Sequence, residues 1–355
     1  MAAYTTIDDP SAYFKVQLYT GNYSTNAITF NDTDTTMSPD LIITKDRSDA
    51  SWFITADTVR GANKIININD TAAETTETTY VNSFDSNGFT LGANNGNNED
   101  GEANVAWCWK AGTTSSGTTT GSGTGTSYNT SINDTAGFQI STYTGNDAAG
   151  HTLPVALTTA PHLMIFKQRS DVYAWGLYHH KNTSAPETDV LEMHATAATA
   201  DDITFLNDTA PTSSVVTFGA AGDWGNEDGK TIVAYLWSEK QGYSKFGGYT
   251  GNGNADGAFI YTGFQPAMIL VKVTDITGDY RIFDTKRDTY NVADAILYPS
   301  TNTAEGTETF ADILSNGFKI RSSSNSYNGS GNTYIYMAWA EAPFVNSNGV
   351  PCNAR

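Results

Sequence analysis

Apolar and polar positions alternate along this chain over runs of about four to eight residues, and clusters of Gly, Asn, Asp and Ser separate the runs, as at Asp85-Ser-Asn-Gly88 and Ser315-Asn-Gly317. A period of two sends successive side chains to opposite faces, so the runs predict strands and the clusters predict turns. Some runs are apolar throughout, such as Val105-Ala-Trp-Cys-Trp109. A strand apolar on both faces needs a layer on each side, which predicts antiparallel sheets packed face to face rather than one open sheet.

The pattern repeats along the chain. Tyr-Thr-Gly-Asn begins at Tyr19, Tyr143 and Tyr249, and each copy is followed by a Pro and a Lys at one fixed spacing: Pro39 and Lys45, Pro161 and Lys167, Pro266 and Lys272. An aromatic comes seven or eight residues later, read here as Trp52, Trp175 and Tyr280. The copies end in Val105-Ala-Trp-Cys-Trp109, Val233-Ala-Tyr-Leu-Trp237 and Tyr336-Met-Ala-Trp339, and aligning Ala106, Ala234 and Ala338 gives units of about ninety residues. The expected fold class is all-β, with three tandem antiparallel β-sandwich modules at 15–110, 137–240 and 241–341.

Residues 1–14 read as an N-terminal docking arm and 342–355 as a C-terminal tail whose Pro343 and Pro351 argue against a helix. Residues 111–136 read as a flexible linker, because 111–133 are built from Gly, Thr and Ser without one charged residue. The first module is then expected to be positioned separately. The shorter connection at 238–246 predicts a more fixed arrangement of the second and third.

Composition narrows the function classes. With 38 Asp plus Glu against 19 Lys plus Arg, the net charge is −19, while only 16% of residues are charged. The wealth of Gly, Thr, Asn and aromatic residues excludes a mainly helical protein. An acidic chain repels phosphate backbones and anionic lipid surfaces, so nucleic acid is excluded as a partner. No basic region leads into an apolar run and no window is apolar enough to span a bilayer, so neither a secretion leader nor membrane insertion is expected. Cys108 and Cys352 are too few for a disulfide framework, and Cys108 reads as a small buried thiol.

Candidate chemistry is sparse. All five histidines, His151, His162, His179, His180 and His194, fall in the second copy, but adjacent His179 and His180 point to opposite strand faces and cannot share one ion without a bulge. Asn98-Glu-Asp-Gly101 and Asn226-Glu-Asp-Gly229 precede two closing strands, so Glu99, Asp100, Glu227 and Asp228 offer oxygen ligands suited to calcium. The preferred reading of these loops is a polar hairpin turn, since the alternating donor spacing of a calcium loop is missing and the third copy has no acid there. Asp57 with Arg60 and Asp284 with Arg287 occupy matching places; such a pair either hydrogen-bonds sugar hydroxyls or braces a turn. Tyr23, Tyr173, Trp224, Tyr243 and Tyr327 stand in loop-like contexts as platforms for sugar rings. No nucleophile, zinc or phosphate-loop signature occurs, so no enzyme and no cofactor are expected, calcium apart.

Several segments carry a resemblance: Ala3-Tyr-Thr-Thr-Ile-Asp-Asp-Pro-Ser-Ala-Tyr-Phe14, the Tyr-Thr-Gly-Asn copies, Gln241-Gly-Tyr-Ser-Lys-Phe-Gly-Gly-Tyr-Thr-Gly-Asn-Gly-Asn254, and the end from Glu341 to Arg355. Over its whole length the chain resembles a structural protein of marine tailed bacteriophages. Single modules resemble concanavalin-like or SPRY-like sandwiches through Trp52, Asp57, Arg60-Gly61 and Ser83-Phe-Asp-Ser-Asn-Gly-Phe89. The resemblance implies a virion protein made in the bacterial cytoplasm. The N-terminal arm is expected to join it to other tail or capsid proteins, and a homo-oligomer such as a trimer would suit a fibre although no heptad run supports one. It carries over no catalytic residue. The first expectation is a tail fibre or receptor-binding adhesin for a host polysaccharide or outer-membrane receptor. Its rivals are a capsid decoration protein and, third, a polysaccharide depolymerase, which would need two carboxylates about 5–10 Å apart in a cleft.

Overall fold

The computed structural model describes residues 4–30, 35–220, 224–345 and 349–350. It is nearly all β, and its strands form six antiparallel sheets that fall into three pairs along the chain. Within each pair one sheet, here called the larger, contains the same four strands in the same order; it has more strands than its mate in the first two modules and as many in the third. These are Phe14–Thr20, Ala103–Trp109, Leu41–Asp46 and Ile54–Asp57 in the first module. They are Phe138–Thr144, Thr231–Trp237, Leu163–Gln168 and Trp175–His179 in the second, then Ser244–Thr250, Thr333–Trp339, Met268–Val273 and Arg281–Asp284 in the third.

Register corrects two details of the alignment made on sequence. Phe14 lies opposite Trp109, Phe138 opposite Trp237 and Ser244 opposite Trp339, so the common landmark of the closing strands is this Trp and not Ala338. Tyr336 is the counterpart of Ala106 and Ala234, and it sits opposite Gly247, where the bare backbone makes room for its ring. The aromatic counterpart of Trp175 and Tyr280 is the buried Phe53, while Trp52 is exposed.

The alternation of the larger sheets sorts side chains into two kinds of core. In the third module Ile269, Val271, Tyr334, Tyr336 and Ala338 face the smaller sheet and pack on Ile260, Phe310, Ile313 and Phe318. The intervening Met268, Leu270, Ile335, Met337 and Trp339 face away from that sheet, into a cluster that also holds Leu41, Trp107 and Trp109 of the first module and Leu163, Ile165, Tyr235 and Trp237 of the second. The both-faces-apolar closing strands are therefore explained by a third layer. Each module is a sandwich, and the outer faces of the three larger sheets meet in one shared core.

At its centre Trp109, Trp237 and Trp339 form a closed triangle. Ring centroids are 6.0 Å apart for Trp109 and Trp237, 5.9 Å for Trp237 and Trp339, and 5.3 Å for Trp109 and Trp339, each edge to face. Their indole N–H groups meet no oxygen or nitrogen among the described residues, so the neighbouring π faces are the acceptors within reach. Three equivalent residues in mutual contact place the modules around a common pseudo-threefold axis.

Two further expectations are corrected. The segment expected to be a flexible linker folds: Thr113–Thr118 and Ser127–Asn133 pair with each other, and the latter extends the second module's sheet through Phe138–Thr144. Thr and Ser are good strand residues when a sheet edge offers hydrogen bonds, which composition alone does not reveal. The first module is not positioned separately, because its apolar outer face is buried in the shared core. The N-terminal arm docks on its own chain: the Tyr4 hydroxyl donates to Gly263 O at 2.7 Å, Thr5 Oγ1 donates to Gln241 O at 2.6 Å, and Ile7 enters the shared core. Cys108 is a free, buried thiol, and Cys352 lies outside the described residues.

Candidate functional site

The matched Asp and Arg pairs build the seams between modules. Asp57 and Arg60 of the first module are ion-paired with no side-chain exposure. Arg60 Nη2 donates to the Tyr235 hydroxyl of the second module at 3.2 Å, and that hydroxyl donates to Asp57 Oδ2 at 2.7 Å. Glu74 bridges Arg60 at 3.2 Å and Arg169 of the second module at 2.8 Å. Burial alone would raise the Glu74 carboxyl, but the two guanidinium groups outweigh it and hold it below the ordinary carboxylate range.

The third module repeats the device against the first. Arg287 Nε lies 2.6 Å from Asp284 Oδ2, which also accepts from Trp107 Nε1 at 3.3 Å. Glu305 bridges Arg287 at 3.0 Å and Arg47 at 2.7 Å. At the seam between the second and third modules the same positions carry His179, Asn182 and Thr199. His179 accepts from Lys181 N at 3.1 Å through Nδ1 and lies 3.2 Å from Tyr336 O through Nε2, which is the pattern of a neutral ring. His162 accepts from Glu239 N at 3.0 Å, and its ring centroid is 4.5 Å from that of His180. Asp57, Arg60, Asp284 and Arg287 therefore brace the assembly and offer nothing to a sugar.

The repeated motifs form a lock within each module. The Tyr19 hydroxyl donates to Asn97 O at 2.8 Å, as Tyr143 does to Gly225 O and Tyr249 to Tyr327 O, each at 2.7 Å. The Asn after each accepting carbonyl itself accepts from the backbone of the Tyr-Thr-Gly-Asn turn: Asn98 from Asn22 N at 3.1 Å, Asn226 from Asn146 N at 3.2 Å, Asn328 from Asn252 N at 2.9 Å. A Cβ on Gly21 would stand 2.0 Å from Glu99 O, so the motif's glycine is required by close backbone contact. Asn98, Asn226 and Asn328 are thus the working members of these loops, not the acids that follow the first two of them.

Among the described residues no three His, Cys, Asp or Glu side chains gather into a metal-holding group. Glu99 and Asp100 stand in the first module, while Glu227 accepts from Gln168 Nε2 at 2.9 Å and Asp228 is exposed in the second.

The aromatic candidates divide sharply. Tyr243 is fully buried between Tyr13 and the shared core, and Tyr327 is buried against Phe283 and Phe310 with its hydroxyl donating to Glu308 at 2.6 Å. Both were expected in exposed loops; their neighbouring Gly and Ser residues form tight turns over a core. Tyr173 and Trp224 are half-buried edge to face at 6.2 Å, with Trp224 Nε1 donating to Asp202 at 2.6 Å.

Tyr23 alone of these is displayed, at 53% exposure. It follows the first Tyr-Thr-Gly-Asn turn in the left-handed region, with φ 48°, where the second module has Asp147 (φ 58°) and the third Gly253 (φ 67°). A bulky residue there costs about 1 kcal/mol relative to Gly, so the fold gains nothing from the ring. Tyr23 borders an open recess of about 500 Å3 with Asn22, Asn95, Glu99 and Asp100. An exposed phenol flanked by amides and carboxylates is a set that can stack on a sugar ring and hydrogen-bond its hydroxyls.

A family model described as a domain of unknown function, DUF7483, matches residues 9–343. The chain belongs to this family. No curated protein and no solved structure matches it.

Proposed function

We propose that this protein is a bacteriophage virion surface protein acting as a tail fibre or receptor-binding adhesin, with host surface glycan as its ligand. The reading is supported chiefly by Tyr23, an aromatic held in solvent at a left-handed position beside Asn22, Asn95, Glu99 and Asp100. The molecule is a binder and not an enzyme in this view: the buried Asp57, Arg60, Asp284, Arg287 and His179 serve the seams. A second reading, capsid decoration, draws support from the pseudo-threefold core, which suits a seat on a threefold position of a shell. In either case the expected partners are other tail or capsid proteins met through the N-terminal arm, whose Tyr4 and Thr5 also hold it to the chain's own third module.

The test is binding of the full chain to host cells and to a glycan array, compared with Tyr23→Gly. Gly suits the backbone there as Gly253 does in the third module, so the fold is kept. About a tenfold loss of binding is expected, since one stacking contact is worth about 0.5–1.5 kcal/mol and its flanking hydrogen bonds depend on it. Equal binding by both proteins would remove Tyr23 from the proposal. Tagged protein located on heads and absent from tails by electron microscopy would replace the adhesin with the decoration protein.

A further inference from the structure

The outer edges of the three larger sheets are treated differently. At the first module's opening strand, Val16 N is capped by Glu341 Oε1 at 2.8 Å. At the third module's, Phe246 N is capped by Glu239 Oε1 at 2.9 Å and Phe246 O lies 2.6 Å from His180 Nε2. The second module instead adds the hairpin of Ser127–Asn133 and Thr113–Thr118, which moves the free edge of its eight-stranded sheet out to Thr113–Thr118.

That edge carries none of the usual guards. All six residues are exposed, the register with Ser127–Asn133 is unbroken by a bulge, and the strand holds no Pro and no charge. Thr119 N donates to Thr126 O at 2.8 Å, which continues the ladder on odd-numbered residues. Alternation then turns the N–H and C=O groups of Thr114, Ser116 and Thr118 away from the sheet, and none of them meets a backbone partner among the described residues.

We propose that this edge joins two copies of the chain by antiparallel pairing of Thr113–Thr118 with itself. Ser116 pairs with its own counterpart and Thr114 with the partner's Thr118, which satisfies every outward backbone group of both strands and closes the contact on a twofold axis. Charge selects this occupant. Two chains of −19 repel one another over most approaches, and residues 111–133 are a long stretch without charge on which they can meet. The result is one continuous sheet running through two molecules, with a three-module body at each end.

The experiment is sedimentation velocity on the full chain from low to high micromolar concentration. A twofold rise in mass with concentration is expected. Ser116→Pro removes an outward N–H, a change an edge strand tolerates, and Ser116→Lys sets two like charges face to face; each should hold the mass at one chain while leaving the melting temperature of the body unchanged. If Ser116→Pro lowers the melting temperature, Ser116→Lys carries the comparison. Hydrogen exchange at Thr114, Ser116 and Thr118 should slow at least tenfold in the dimer. A wild-type chain that stays at single-chain mass throughout, or variants that dimerise like wild type, would overturn the proposal.

Discussion

The Tyr235 hydroxyl donates to Asp57 Oδ2 at 2.7 Å across the seam between the first two modules, and neither side chain reaches solvent. One hydroxyl thus ties a closing strand to its neighbour's ion pair. Tyr235→Phe should cost about 1–3 kcal/mol, because it removes the bond given to Asp57 and the one accepted from Arg60 Nη2, while the Asp57 and Arg60 ion pair stays in place. Asp57→Ala should cost about 3–5 kcal/mol, since it leaves the buried Arg60 guanidinium with Glu74 alone as a charged partner and the Tyr235 hydroxyl without its acceptor. Chemical denaturation of the two variants would check both size and order.

The Trp109, Trp237 and Trp339 triangle makes folding cooperative across modules. Calorimetry on the wild type should show a single transition in which all three modules melt together. Trp109→Ala should remove about 3–5 kcal/mol by opening a cavity on the axis, and should weaken the contacts of all three modules at once. A first module that melts on its own would contradict the shared core.

The turn lock predicts a local effect. Gly21→Ala forces a Cβ against Glu99 O and must displace the loop, whereas Asn98→Ala leaves Asn22 N and the carbonyls of Ser24 and Gly92 without their partner. A loss of about 1–3 kcal/mol is expected for Asn98→Ala. Hydrogen exchange should rise at residues 20–24 and 92–98 in both variants and stay unchanged in the second and third modules.

Acid should act first on the seam between the second and third modules. Burial, and then the neighbouring His180, push His179 down to about 3 and His162 down to about 4. The groups facing this pair are His180, Glu239, Lys181 and Lys245. Glu239 is itself held at about 2: burial opposes this, and His180 and Lys245 outweigh it. Both histidines have folded values below their ordinary one, so the unfolded chain takes up protons that the folded chain refuses. Their contribution is present above about pH 6.5 and is lost as pH falls toward 4, at up to about 1.4 kcal/mol per pH unit for each ring. The seams built on Glu74 and Glu305, also held below the ordinary carboxylate range, keep their contribution until about pH 4.5 and lose it below. Melting temperature against pH should therefore begin to drop near 6.5 in the wild type. In a His162→Gln, His179→Gln variant it should stay flatter down to about 4.5.

Much of the fold was legible from local pattern. Tyr-Thr-Gly-Asn, the Pro and Lys pair and the aromatic closing runs mark equivalent strands because each meets the same steric demand in its own module: a glycine under a carbonyl, an Asn that caps a turn. The candidate site was legible only in part. Tyr23 stands in solvent as a loop reading expects, but Tyr243 and Tyr327 occupy equally loop-like strings and are buried, since a turn's composition is the same whether it faces water or covers a core. Comparing the copies would have singled out Tyr23, where the position that follows Asn holds Tyr, Asp and Gly in turn.

What the sequence by itself determined is the all-β class, the short strands and the recurrence of their landmarks, because period-two alternation and turn chemistry act over a few residues. What only the tertiary structure decided is where the second apolar face of each larger sheet goes. Alternation shows that Trp107, Tyr235 and Met337 must be buried, yet the partner that buries them lies in another module. The same holds for Asp57 and Asp284, whose ion pairs look local in sequence and become inter-module braces once the neighbouring closing strand arrives. It holds too for residues 111–133, where an uncharged Thr and Ser stretch reads as a tether until a sheet edge supplies the hydrogen bonds that make it a strand.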